Sequence, residues 1–388
     1  MDADNSVYKI ITYALVIVVS FAFLYFGNRI ATTGMVTVDE DDGAQIFEAR
    51  VINIVDIQDH GDIFGGWLSF RFEAEVIRGE RRGEIATFSQ NLFGYFLERF
   101  PREARVGDRV VLALSEQGDW TFIEYVRIYD ILTVGGVFIV LLILFGRVKG
   151  FNSILSLGLT CTAIFAVFIP SILAGRNIYL WAIAVCVYSI VTSLFVINGV
   201  NKKSVAAITG CLGGVITAGA LTFFMNRTME LTGITQSDSV ILLYVSDNPI
   251  DLNAIIFASI IIGASGAIMD MAVSISSSLW ELKTQVPNSS FADIFKSGIN
   301  IGKDIMGSNI NTLVLAYIGN SLTIILIILA RSNSLFRVLN RELVIVEFLQ
   351  AIVGSFGIFF AMPLTAFICA VLFSRNPSNF LKKVGQKL

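Results

Sequence analysis

The chain has 388 residues, of which 55% are hydrophobic and 15% charged, with a net charge of −3 and a mean hydropathy of +0.73. Soluble domains carry about 25% charged residues, so this composition excludes a soluble globular protein and places the chain in a lipid bilayer. One histidine and four cysteines, Cys161, Cys186, Cys211 and Cys369, with no paired spacing, leave no zinc or disulfide framework to read.

In chain order, eight runs of about 18–25 apolar residues predict membrane-crossing helices. They lie at 8–26, 128–146, 153–173, 178–197, 204–225, 253–275, 311–330 and 346–373. Residues 1–30 hold the first. Its leader carries Asp2 and Asp4 against Lys9, and its apolar core is longer than that of a signal peptide, which favours an uncleaved anchor. With the N-terminus inside, all ten lysines become cytoplasmic, as the positive-inside bias requires, although the outer loops keep Arg176, Arg227, Arg331, Arg337 and Arg341. The C-terminal tail, 377–388, is then cytoplasmic as well.

Residues 45–127 break the apolar pattern. In Leu68-Ser69-Phe70-Arg71-Phe72-Glu73-Ala74-Glu75-Val76 the apolar side chains alternate with polar ones, as in a strand with one buried face. Five such segments, with turns at Gly79, Gly107 and Gly118, predict a small OB-like β-barrel between the first two membrane helices, on the extracytoplasmic side. Residues 39–127 carry 18 acidic against 10 basic residues, which argues against nucleic acid as a partner. His60, among Asp56, Asp59 and Asp62, reads as a solvated acidic turn, because its spacing fits no calcium or zinc pattern.

The remaining chain, 128–376, reads as a seven-helix transmembrane domain. Its fourth helix repeats small residues at fours, Ala206, Gly210, Gly214 and Ala218. The fifth places Gly263, Gly266, Ala267 and Asp270 on one face, with Ser274 beyond. A bare carboxylate at the centre of a span costs roughly 2.5–3.5 kcal/mol even on insertion scales, so Asp270 requires a partner or water. These two helices are expected to cross, with Asp270 in or near the contact. Ser290 and Asp293 form a capping-box pattern ahead of apolar residues at helical spacing, which predicts a cytoplasmic amphipathic helix near 290–306, lying along the interface. Asp304, Asn311, Tyr317 and Glu347 are further polar positions that could line a cleft with Asp270 and Ser274. Pro363 should kink the last helix, and Val240–Val245 is too short to span.

Three membrane motifs carry a resemblance. They are Gly263-Ala264-Ser265-Gly266-Ala267-Ile268-Met269-Asp270, then Gly298-x-Asn300-Ile301-Gly302-Lys303-Asp304-Ile305-Met306-Gly307, then Asn311-Thr312-Leu313-x-Leu315-Ala316-Tyr317-x-Gly319. Together they resemble the YibE/F family of bacterial integral membrane proteins, and the likeness extends back to the Ala49-Arg50-Val51 strand. The resemblance implies a multi-pass protein of the bacterial plasma membrane with an external β-rich domain. It carries Asp270, Asp304, Asn311 and Tyr317 over as motif positions and brings no cofactor.

Two functions compete. One is a secondary transporter or permease for a small solute or ion, routed past the six polar positions. The other is an envelope scaffold whose external barrel docks a protein partner, with a homo-oligomer as a further form of partnership. No Ser/His/Asp set, His-Glu-x-x-His or Cys/His pairing is available, so no enzyme is expected.

Overall fold

The computed structural model describes residues 2–34, 45–60, 67–93, 102–235, 239–240, 242–243, 250–331 and 334–374. The acidic turn at His60, the segment Val240–Val245 and the tail 377–388 lie partly or wholly outside them. The chain forms two compact units, one from Val38–Leu141 and one from Met1–Thr37 with Leu142–Leu388.

The first unit is a curled sheet of five antiparallel-paired strands in the order β3-β2-β1-β4-β5. These are β1 (Gln45–His60), β2 (Trp67–Val76), β3 (Ile85–Phe93), β4 (Arg109–Leu114) and β5 (Trp120–Tyr125). The long central β1 pairs with β2 and β4 and carries register shifts at Val51/Asn53 and Ile54/Asp56, and such bulges bend and twist a strand. The curl brings the edge strands together, so that Phe88 of β3 stacks on Phe122 of β5 at 6.0 Å. Phe70, Phe72, Ala74 and Val76 are buried, as the alternation requires, and Gly79, Gly107 and Gly118 turn the chain with positive φ. Gln90, also buried, donates to the Tyr125 hydroxyl at 3.0 Å and accepts from the Ala104 N–H at 3.1 Å.

In the helical unit, six helices are long and apolar enough to cross a membrane among the described residues. They begin with α1 (Asp2–Thr32). Helix α2 (Ile128–Ala163) is two helices joined at Arg147, whose φ of 49° and ψ of −127° are non-helical. A Cβ on Gly150 would overlap the Leu142 carbonyl, so the chain folds back there, between the expected spans 128–146 and 153–173. Beyond it, one π turn (Ile164–Phe168) leads into α3 (Ile169–Leu173). Pro170 lacks the N–H that would reach the Ala166 carbonyl four residues back. The Asn28 side-chain amide of α1 donates to that carbonyl instead, which keeps it satisfied at membrane depth.

Helices α4 (Ile178–Asn198), α5 (Lys202–Thr228) and α6 (Leu252–Gln285) start at side-chain caps from Asn177, Asn201 and Asp251. Then follow α7 (Phe291–Asn320), α8 (Leu322–Arg331), α9 (Leu335–Leu339) and α10 (Glu342–Phe373), the last running unbroken through Pro363. The main core joins α5, α6, α7 and α10 around Ile260, Ile268, Met271, Ile275, Leu279 and Ile358.

Two expectations change. The amphipathic helix near 290–306 and the first half of the span 311–330 are one helix, α7, and α8 continues only after Ser321. The reason is packing. A Cβ on Gly298 would lie 2.7 Å from Ala366 and 2.9 Å from Leu279, and one on Gly302 would overlap Met362 and lie 3.3 Å from Ile275. These glycines let α7 lie close along α6 and α10. Second, α5 and α6 pack as expected, but Asp270 is exposed beside that contact and not within it. A Cβ on Gly210 would overlap Thr365, and one on Gly214 would lie 2.7 Å from both the Gly357 carbonyl and Ile268 Cγ2. The stripe thus closes on α10 and on the buried side of α6.

Candidate functional site

The polar residues divide into a partly buried seam and an open face, which meet at Ser259 and Gly263. The seam lies where the first half of α6 meets the end of α7 and the start of α10. A Cβ on Gly263 would come 2.6 Å from the Tyr317 hydroxyl, so the missing side chain makes room for that ring. Tyr317 lies within electrostatic reach of Glu347. One turn on from Tyr317, Ser321 is almost fully buried. One turn on from Glu347, Gln350 donates to Ser259 Oγ of α6 at 3.4 Å.

Three atoms in this seam, Tyr317 Oη, Ser321 Oγ and Glu347 Oε2, are buried with no hydrogen-bond partner. Buried polar groups are normally paired, and an orphan costs about 1–3 kcal/mol. Two such atoms one turn apart at the end of α7 and one near the start of α10 make this seam the candidate site. Hydroxyl and carboxylate oxygens are the donors that hard cations choose, and a proton on the carboxylate would serve the same electrostatic end.

Ser321 closes the run of amides and hydroxyls, from Ser308 through Asn320, that could line a polar cleft on sequence grounds; its burial is what the structure adds. Glu342 was missed. Its carboxylate accepts from the Thr232 N–H at 2.8 Å, the Thr232 hydroxyl at 2.7 Å and the Gly233 N–H at 2.6 Å, anchoring that loop to the start of α10.

The open face holds the other expected residues. Asp270 and Ser274 are exposed on α6 with Gly263 and Gly266, and Asp304 and Asn311 are exposed on α7. Asp270 makes no hydrogen bond or ion pair with another described residue. It sits near the middle of a 34-residue helix and points away from the bundle, since Ile268, Met271, Ala272 and Ile275 take the inward positions. The structure therefore brings Tyr317 and Glu347 together and leaves Asp270, Ser274, Asp304 and Asn311 outside their seam.

Residues 134–375, which include every residue of both groups, match the YibE/F-like protein family. The chain belongs to the YibE/F family. The matched region begins after the last strand of the β unit, so membership rests on the helical part, and the three motifs that carried the resemblance fall within it. No curated protein and no solved structure matches this YibE/F chain.

Proposed function

We propose that this YibE/F protein is a secondary transporter of the bacterial plasma membrane for a small cation or a solute coupled to one, with Glu347, Tyr317 and Ser321 as its binding groups. The observation that supports the reading is the trio of orphaned buried oxygens. A carboxylate and two hydroxyls without partners at membrane depth are stable only when a proton, a cation or water completes them, and alternate occupancy of such a site is what coupled transport requires. Discontinuity in the helix strengthens it, because α7 ends and α8 begins at Ser321 itself and broken helices are where transporters place sites.

The test is flux in proteoliposomes loaded with a pH-sensitive dye and challenged with proton, sodium or potassium gradients. Glu347→Gln should reduce gradient-driven flux at least tenfold, and Tyr317→Phe should weaken apparent cation affinity with a smaller loss of maximal rate. Equal flux in wild type and Glu347→Gln would defeat the reading.

A second reading concerns the β unit. Its strand order, with β3 and β5 brought edge to edge, fits an OB-like barrel, and Ile52, Ile54, Val55 and Ile57 of β1 are exposed. This favours a docking role for an extracytoplasmic protein partner. A tagged 45–127 fragment should then retain a specific envelope protein, and retention that persists after Ile54→Asp and Ile57→Asp would count against it.

A further inference from the structure

We infer that the open face of α6 and α7 is covered by the same face of a second copy of this chain. On α6 the face runs through Ser259, Gly263, Gly266, Asp270 and Ser274, spaced four, three, four and four apart. On α7 it runs through Asn300, Asp304, Ser308 and Asn311, spaced four, four and three. All nine are exposed. Tyr317 and Gln350 overlie its Ser259–Gly263 end, but a Cβ on Gly266 or on Gly307 would meet nothing within 4 Å. Two packed helices therefore turn polar and small residues, two of them carboxylates, outward, and Asp270 does so from a helix long and apolar enough to cross the membrane, where hydrocarbon tolerates a bare carboxylate least.

The pattern is self-complementary. Helices α6 and α7 run antiparallel, with Tyr317 beside Gly263, Asn309 Nδ2 3.8 Å from Met271 Sδ, and Gly298 beside Leu279. This register puts Asp270 level with Ser308 and Asn311, and Ser274 level with Asp304. Copies of one chain insert in the same sense, so a two-fold axis along the membrane normal preserves these heights. It sets the Asp270 carboxylate of one copy opposite the amide and hydroxyl donors at Asn311 and Ser308 of the other, and Asp304 opposite the Ser274 hydroxyl. Gly266 and Gly307 provide the close backbone approach on which membrane helix pairs rely. A second copy thus supplies donors to both carboxylates with no other molecule needed. The inference holds whether or not the protein transports anything.

The test uses the full-length chain in native membranes with the exposed Cys161 replaced by Ala, leaving the three buried cysteines. Oxidative cross-linking of Gly266→Cys or Ser274→Cys should yield a species of twice the chain mass. Phe360→Cys, exposed on α10, should yield at least tenfold less. In detergent, Gly266→Leu should raise the dimer dissociation constant at least tenfold while its thermal melting at fixed monomer fraction stays within a few degrees of wild type. The inference falls if neither cysteine cross-links, if Phe360→Cys cross-links equally, or if the product is this chain joined to a different protein. Because these readouts follow assembly and not flux, they fail or succeed independently of the transport assays.

Discussion

Single residues in this chain separate packing from function through what surrounds them. Gly214 and Gly266 look alike in the sequence, each a glycine in a small-residue stripe of an apolar helix. A Cβ on Gly214 would press on a backbone carbonyl, which cannot rotate away, whereas one on Gly266 would meet open space. Gly214→Leu should therefore cost about 3 kcal/mol or more and abolish folded protein by fluorescence-detected size exclusion. Full recovery of Gly214→Leu would show that α5 and α10 are not apposed as described. A second residue-scale case is Asp293, which accepts from the Ser290 hydroxyl and N–H. These hydrogen bonds hold its carboxyl below the ordinary Asp value of 3.8. A depressed folded value means that the stabilisation is complete above the ordinary value and is lost as pH falls through the depressed one. Carboxyl NMR should find a midpoint below 3.8 that Ser290→Ala shifts upward, and an unmoved midpoint would exclude the capping box as its cause. The sequence disclosed that capping box because both partners lie within one turn. It could not disclose the orphaned state of Ser321, which depends on tertiary packing around that hydroxyl.

At the level of elements, period and propensity located most helices and strands, and they failed where long-range packing overrides hydropathy. Helix α7 was split in the sequence reading because Lys303 and Asp304 interrupt the apolar run. Its continuity comes from Gly298 and Gly302 against α10, contacts that no local window contains. The break at Arg147 was visible as a charged interruption flanked by glycines, but the π turn after it was not. That turn depends on Asn28 reaching the carbonyl that Pro170 abandons. Asn28→Ala should leave this acceptor unpaired and cost about 1–3 kcal/mol, read as a lower melting temperature in detergent. A melting curve superimposable on wild type would mean that water replaces the amide without loss.

For the molecule as a whole, composition settled the membrane class, and the alternation of 68–76 with its glycine turns marked the inserted β unit. The Gln90 clamp on Ala104 and Tyr125 escaped notice because a glutamine in a strand ordinarily faces water. The β unit has its own core of Phe70, Phe72, Phe88, Val110 and Leu112, so fragment 45–127 should fold alone with dispersed amide resonances, and Phe72→Ala should destabilise it by about 3–5 kcal/mol. A collapsed spectrum for the wild-type fragment would show that the unit depends on the helices.

The hydrogen bond from Asn28 to Ala166 spans 138 positions in the chain. At a synthesis rate of about 5–20 residues per second, the carbonyl leaves the ribosome on the order of ten seconds after the amide. During that interval α1 holds a polar group in the bilayer with nothing to grip, while the whole β unit is being made. The order of translation thus makes the first helix a waiting partner, and insertion machinery that shelters it for those seconds would govern how much of the protein matures.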